Sequence, residues 1–173
     1  MFIGLEIPRD YVNEEGNVYS CCHEGPFIIG NIYEKQFEDI VNSDLILNQR
    51  ERAKEGDLRC FSSCNLVPGK IACNIDLCDD KKAGSKFNVL KILFGEKCNI
   101  NCIMCWQNSA NRKIIDFNIL EKKIYIHQFR HVILQGGEPF ASKEALKYVD
   151  YVMEQGVEIF FNQWSINYTK LGR

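Results

Sequence analysis

The chain has 173 residues, 46% hydrophobic and 25% charged, with a formal net charge of -2, which is the makeup of a soluble globular protein of one domain or two small ones. Lys and Arg are scattered among Asp and Glu, with no basic stripe of the kind that nucleic-acid binding requires, so polyanions are excluded as partners.

The N-terminus, "MFIGLEIPRDYVNEEG", starts apolar but carries Glu6, Arg9 and Asp10 too early for a signal-peptide core. No run approaches the roughly 18 apolar residues of a membrane span, so a cytoplasmic location without a membrane partner is expected. "GNVYS" at 16–20 and "FIIGNI" at 27–32 read as a hairpin, with Gly25, Pro26 and Gly30 as turn residues. In the helical stretch that follows, Phe37, Ile40 and Val41 share one face, and Ser43 or Asp44 caps a second helix running to Gly56. Next comes "DLRCFSSCNLVPGKIACNIDLCDD", which has no helical or strand period. Four cysteines stand there where a core would use apolar residues, so metal must supply the order. The total of nine cysteines, an odd number, fits metal or redox use in a reducing compartment better than a disulfide framework.

A polar connector, "DDKKAGSK", separates this region from one with a different rhythm. "NVLKILF", 88–94, suits a buried strand; an amphipathic stretch runs from about Phe117 to Phe129, and "HVILQGG", 131–137, is a strand that stops at a double glycine. Ser142 caps a helix in which Ala145, Leu146, Val149, Val152 and Met153 fall at helical spacing, ending at Gly156 before the strand "VEIFF". Strands alternating with helices predict an α/β fold with a parallel sheet, whose chemistry gathers at the carboxyl ends of the strands.

Both unusual stretches follow strand ends. Cys98, Cys102 and Cys105 lie in "GEKCNINCIMCWQ" after the first strand; Gly136, Gly137, Glu138 and Pro139 follow the second. Cx3Cx2C is compact enough to hold three irons of a cubane, leaving the fourth iron open to a substrate or cofactor, and soft thiolates suit iron. A zinc site on this loop alone lacks one ligand.

In these two places the sequence resembles the radical S-adenosylmethionine enzymes: "CNINCIMC" is similar to their cluster loop and "GGEP" to the motif that ends their second barrel strand. The resemblance implies that Cys98, Cys102 and Cys105 ligate a [4Fe-4S] cluster whose open iron is chelated by S-adenosylmethionine. The reaction it implies is reductive cleavage of that cofactor to a 5'-deoxyadenosyl radical, which abstracts hydrogen from a substrate such as a peptide or a carbohydrate alcohol. Gly136 and Gly137 then let the backbone approach the cofactor, Pro139 fixes the turn, and Glu138 or the strand-end carbonyls accept from the cofactor's ammonium group. Met104 stands where many members have an aromatic residue on the adenine side, and Asn162, in "FFNQWS", lines the cofactor cavity. An electron donor such as flavodoxin or ferredoxin is the implied partner.

The first region resembles the auxiliary-cluster modules SPASM and twitch through "GNVYSCC", "IGNIYEKQFEDIVNS" and "CFSSC". That implies a second [4Fe-4S] cluster on Cys21, Cys60 and Cys64, with Cys73 or Cys78 as fourth ligand. CxxxC replaces the more usual CxxC, and the cysteines suffice for one auxiliary cluster only. The expected organisation is therefore a small cysteine-rich α+β domain over 1–78, a linker over 79–87, and the N-terminal part of a radical S-adenosylmethionine domain over 88–173. About three βα units of the family's six-stranded partial barrel fit in that last segment, which predicts a fragment of a longer enzyme. The alternative is a non-catalytic zinc- or iron-sulfur-binding module acting in assembly or partner binding, with zinc on Cys60, Cys64, Cys73 and Cys78.

Overall fold

A computed structural model of the chain describes residues 9–19, 28–54, 87–98, 103, 113–162 and 167–168. The strands are β1 (Arg9–Val12), β2 (Asn17–Tyr19), β3 (Ile28–Asn31), β4 (Phe87–Leu93), β5 (Phe129–Gln135), β6 (Glu158–Asn162) and β7 (Asn167–Tyr168). The helices are α1 (Phe37–Val41), α2 (Asp44–Lys54), α3 (Phe117–Lys123) and α4 (Lys143–Glu154). All seven strands form one sheet, in the order β3-β2-β1-β4-β5-β6-β7. β1, β4, β5 and β6 are mutually parallel, while β2, β3 and β7 join antiparallel at the two ends.

The register explains which face is buried. Val12, Ile92, Leu134 and Phe161 stand side by side across the parallel strands, and all are buried. One residue earlier, Tyr11, Lys91, Ile133 and Phe160 line the opposite face and are only half-buried. This is the period-2 alternation of a sheet covered by helices on one side. Phe37, Ile40 and Val41 of α1, Leu120 of α3 and Ala145, Tyr148, Val149 and Val152 of α4 complete the same apolar cluster. Each fully buried large side chain there contributes on the order of 1.5–3 kcal/mol. The cluster crosses the two halves of the sequence: the Phe37 and Phe129 rings meet edge to face at 5.4 Å.

The β2–β3 hairpin, the α1 face and the order β4-α3-β5-α4-β6 agree with the sequence reading. Other details differ. β1 had no period to announce it, and it continues the sheet from β4 into the first half of the chain. Gly30 is not a turn residue; it sits inside β3, opposite Val18. The stretch from Phe117 is helical only to Lys123, because Ile124 is extended and buried, and a 3-10 turn at Ile126–Gln128 leads into β5. On α4 the inward residue is Tyr148, fully buried, while Leu146 and Met153 are exposed at 38% and 41%. They flank the stripe 145, 148, 149 and 152 at the margins of the helix. Asp116 and Ser142 cap α3 and α4 by accepting from the Asn118 and Ala145 N–H groups. Among the described residues no helix is long and apolar enough to cross a membrane.

Candidate functional site

The parallel strands end along one edge, and the segments that follow β1, β4 and β5 meet there. Beyond β4 the ladder continues for one step, with the Phe94 N–H donating to the Gln135 carbonyl at 2.9 Å. Past the cysteine segment, residues 113–115 lie beside 94–96. Glu96 N–H donates to the Lys113 carbonyl at 3.2 Å, Ile115 N–H to the Phe94 carbonyl at 3.0 Å, and Gly95 bridges Ile114 antiparallel. Residues 94–96 and 113–115 are thus the two arms of a short stem, and Cx3Cx2C lies in the loop that it closes.

The GGEP turn grips the departing arm. Gly136 (φ +98) and Gly137 (φ +48) occupy the left-handed half of backbone space. A Cβ on Gly137 would overlap the Lys97 carbonyl, and one on Gly136 would overlap the end of the Leu93 side chain. With no Cβ in the way, the Glu138 N–H donates to the Lys97 carbonyl at 2.8 Å. The close approach that the glycines permit here is to protein backbone, one residue before Cys98. Glu138 Oε1 accepts from the Phe140 N–H at 3.2 Å, capping a one-turn 3-10 helix at Pro139–Ala141 whose first residue, Pro139, is buried. Gly95, Lys97, Gly136 and Glu138 border a shallow crevice.

Cys98 is a free, half-buried thiol on this pinned arm, which fits a thiolate ligand. Ile103, inside the loop, is fully solvent-exposed. Cys102, Cys105 and Met104 lie outside the described residues, as do Cys21, Cys60, Cys64, Cys73 and Cys78. Asn162 ends β6 in register with Gln135, at the level of the stem. Among the described residues no three His, Cys, Asp or Glu side chains are grouped to hold a metal ion.

On the other side of the stem lies the turn between β1 and β2. Its Glu15 pairs with Lys113 at 2.6 Å, and this hydrogen bond and charge raise the lysine's pKa. Beside it the Glu14 pKa is raised from its ordinary value by burial, against the pull of a backbone hydrogen bond, with the negative charges of Glu96 and Glu15 adding to the rise. Its Oε2 is buried without a hydrogen-bond partner among the described residues. Sequence reasoning did not single out Glu14, Glu15, Lys97 or Lys113. The one signal for the turn is the spacing of Asn13, Gly16, Asn17 and Asn31, which are turn-forming residue types.

The SPASM family, an iron-sulfur cluster-binding domain, matches residues 9–65. No curated protein and no solved structure matches the chain. The matched stretch takes in β1, β2, β3, α1 and α2 together with Cys21, Cys22, Cys60 and Cys64; Cys73 and Cys78 lie beyond it. Residues 9–65 are a SPASM-like domain, and the property that this likeness carries is iron-sulfur cluster binding.

Proposed function

We propose that the chain is part of a radical S-adenosylmethionine enzyme with an auxiliary cluster in its SPASM-like domain. In this reading Cys98, Cys102 and Cys105 hold a [4Fe-4S] cluster on the stem-closed loop, and Cys21, Cys60 and Cys64, with Cys73 or Cys78, hold the auxiliary one. The observation that carries it is the junction of two motifs distant in sequence: the GGEP turn bonds to the arm that presents Cys98. β4, β5 and β6 are then the opening strands of the family's partial barrel, consistent with their parallel pairing and intervening helices.

A reduced cluster held by Cys98, Cys102 and Cys105 would supply the one electron that reductive cleavage of S-adenosylmethionine needs, the chemistry that leads to hydrogen abstraction from a substrate. The chain's own residues position and shield. The glycine turn fixes the first cysteine's arm, with Glu138 next to it at the end of β5 and Asn162 at the end of β6, one strand further on. A protein reductant such as flavodoxin or ferredoxin supplies the electron, and the substrate class is a peptide or carbohydrate alcohol.

Anaerobic reconstitution with iron and sulfide, followed by reduction with S-adenosylmethionine present, tests the proposal. Methionine and 5'-deoxyadenosine are the expected products. A chain that takes up zinc alone, and no iron, would instead be a metal-binding module without this chemistry.

A further inference from the structure

The turn between β1 and β2 is built from side chains that hold one another. Asn13 Oδ1 accepts from the Glu15 and Asn17 N–H groups at 3.1 and 2.9 Å. From β3, Asn31 Nδ2 donates to the Glu15 carbonyl at 3.0 Å and to Asn17 Oδ1 at 2.9 Å, while its Oδ1 accepts from the Tyr33 N–H at 2.8 Å. Gly16 (φ +76) makes room for the Tyr33 ring, which a Cβ there would overlap. Two side chains lead out of this frame, and both land on the returning arm of the cysteine loop. Glu15 pairs with Lys113 at 2.6 Å, and Tyr33 Oη accepts from the Asp116 N–H at 3.3 Å. These contacts bracket Ile114 and Ile115, the residues that face the departing arm.

We propose that Glu15 and Tyr33 are positioning residues for the cysteine loop, through which the SPASM-like domain holds the returning arm in register with the departing one. The inference deepens the proposed function and rests on it for the cluster that the loop presents. The two grips on the stem differ in kind. The GGEP side is backbone against backbone with no space for a Cβ; the hairpin side is a solvent-exposed ion pair and a single hydrogen bond, both accessible to water and salt. The returning arm is also held main chain to main chain at Gly95 and by the buried Ile115, so the two exposed contacts add to a stem that is already paired.

Two readouts on the full chain test this. The first is hydrogen exchange at the Ile115 amide without any cluster. Glu15→Gln and Tyr33→Phe should each speed it about two- to fivefold, the double variant by about the product, with β5 amides unchanged. The second is the electron paramagnetic resonance spectrum of the reconstituted, reduced protein with S-adenosylmethionine, which should differ between wild type and the double variant. Unchanged Ile115 exchange in the double variant, or identical spectra from a cluster assembled on the loop, overturns the proposal. Faster exchange in a chain that assembles no cluster on the loop supports the positioning and sinks the proposed function instead.

Discussion

The Glu138 N–H meets the Lys97 carbonyl at 2.8 Å, which ties the GGEP turn to the residue before Cys98. Gly137 makes this possible, so Gly137→Ala should destabilise the fold by about 2–4 kcal/mol, the sum of left-handed strain and overlap with a backbone carbonyl that cannot step aside. Gly136→Ala should cost less, about 1–2 kcal/mol of left-handed strain, since its nearest contact is the end of the Leu93 side chain and the Gly95 carbonyl is farther, at 3.0 Å. Urea unfolding of both variants measures the difference; equal losses would mean that the arm yields as readily as the side chain.

Glu14 gives stability a pH dependence of definite sign. Its folded pKa is raised, chiefly by burial, so its contribution is fully present below the unfolded carboxylate pKa and is lost as pH rises through the folded value. Glu14→Gln cannot titrate. Plotted against pH, the stability of the variant relative to wild type should therefore climb from the acidic range toward neutrality and then level off. A difference that stays flat across that range would show that Glu14 ionises as freely in the folded chain as in the unfolded one.

Tyr148 is fully buried against Phe94, Phe117 and Tyr151, and its hydroxyl has no hydrogen-bond partner among the described residues. Burial raises its pKa well beyond the ordinary tyrosine range, which keeps the hydroxyl neutral. Tyr148→Phe keeps the ring and removes the unpaired group, so it should raise stability by about 1 kcal/mol. A lower unfolding midpoint would reveal a partner for that hydroxyl in solution.

Ser142 Oγ accepts from the Ala145 N–H at 3.4 Å, a long hydrogen bond at a buried helix start. Ser142→Ala should cost about 0.5–1 kcal/mol, the lower part of the range for a lost N-cap. Thermal unfolding followed by circular dichroism reads it out, and no change would place the helix's anchoring in its apolar stripe alone.

These residues also show what was legible before the structure. β5 announces itself because His131 to Gln135 is an apolar run cut off by two glycines, and Ser142 reads as a cap because an apolar helical period follows it. β1 is hidden because Arg9, Asp10 and Tyr11 carry no apolar alternation; it is a strand by virtue of its neighbours β2 and β4. The inward position is Tyr148 and not Leu146; spacing alone places a stripe only to within about one residue. The grip on the cysteine loop was beyond reach for a different reason: its key contact is between two main-chain groups, and residue identity enters only through the side chains that the glycines lack.

The iron content of the anaerobically reconstituted chain, measured beside that of Cys98→Ala, tests the central claim most directly. Two four-iron clusters predict about eight irons in the wild type and about four in the variant, with loss of S-adenosylmethionine cleavage in the latter. An iron content that Cys98→Ala leaves unchanged would contradict the account, since the loop gripped by GGEP would then hold no cluster.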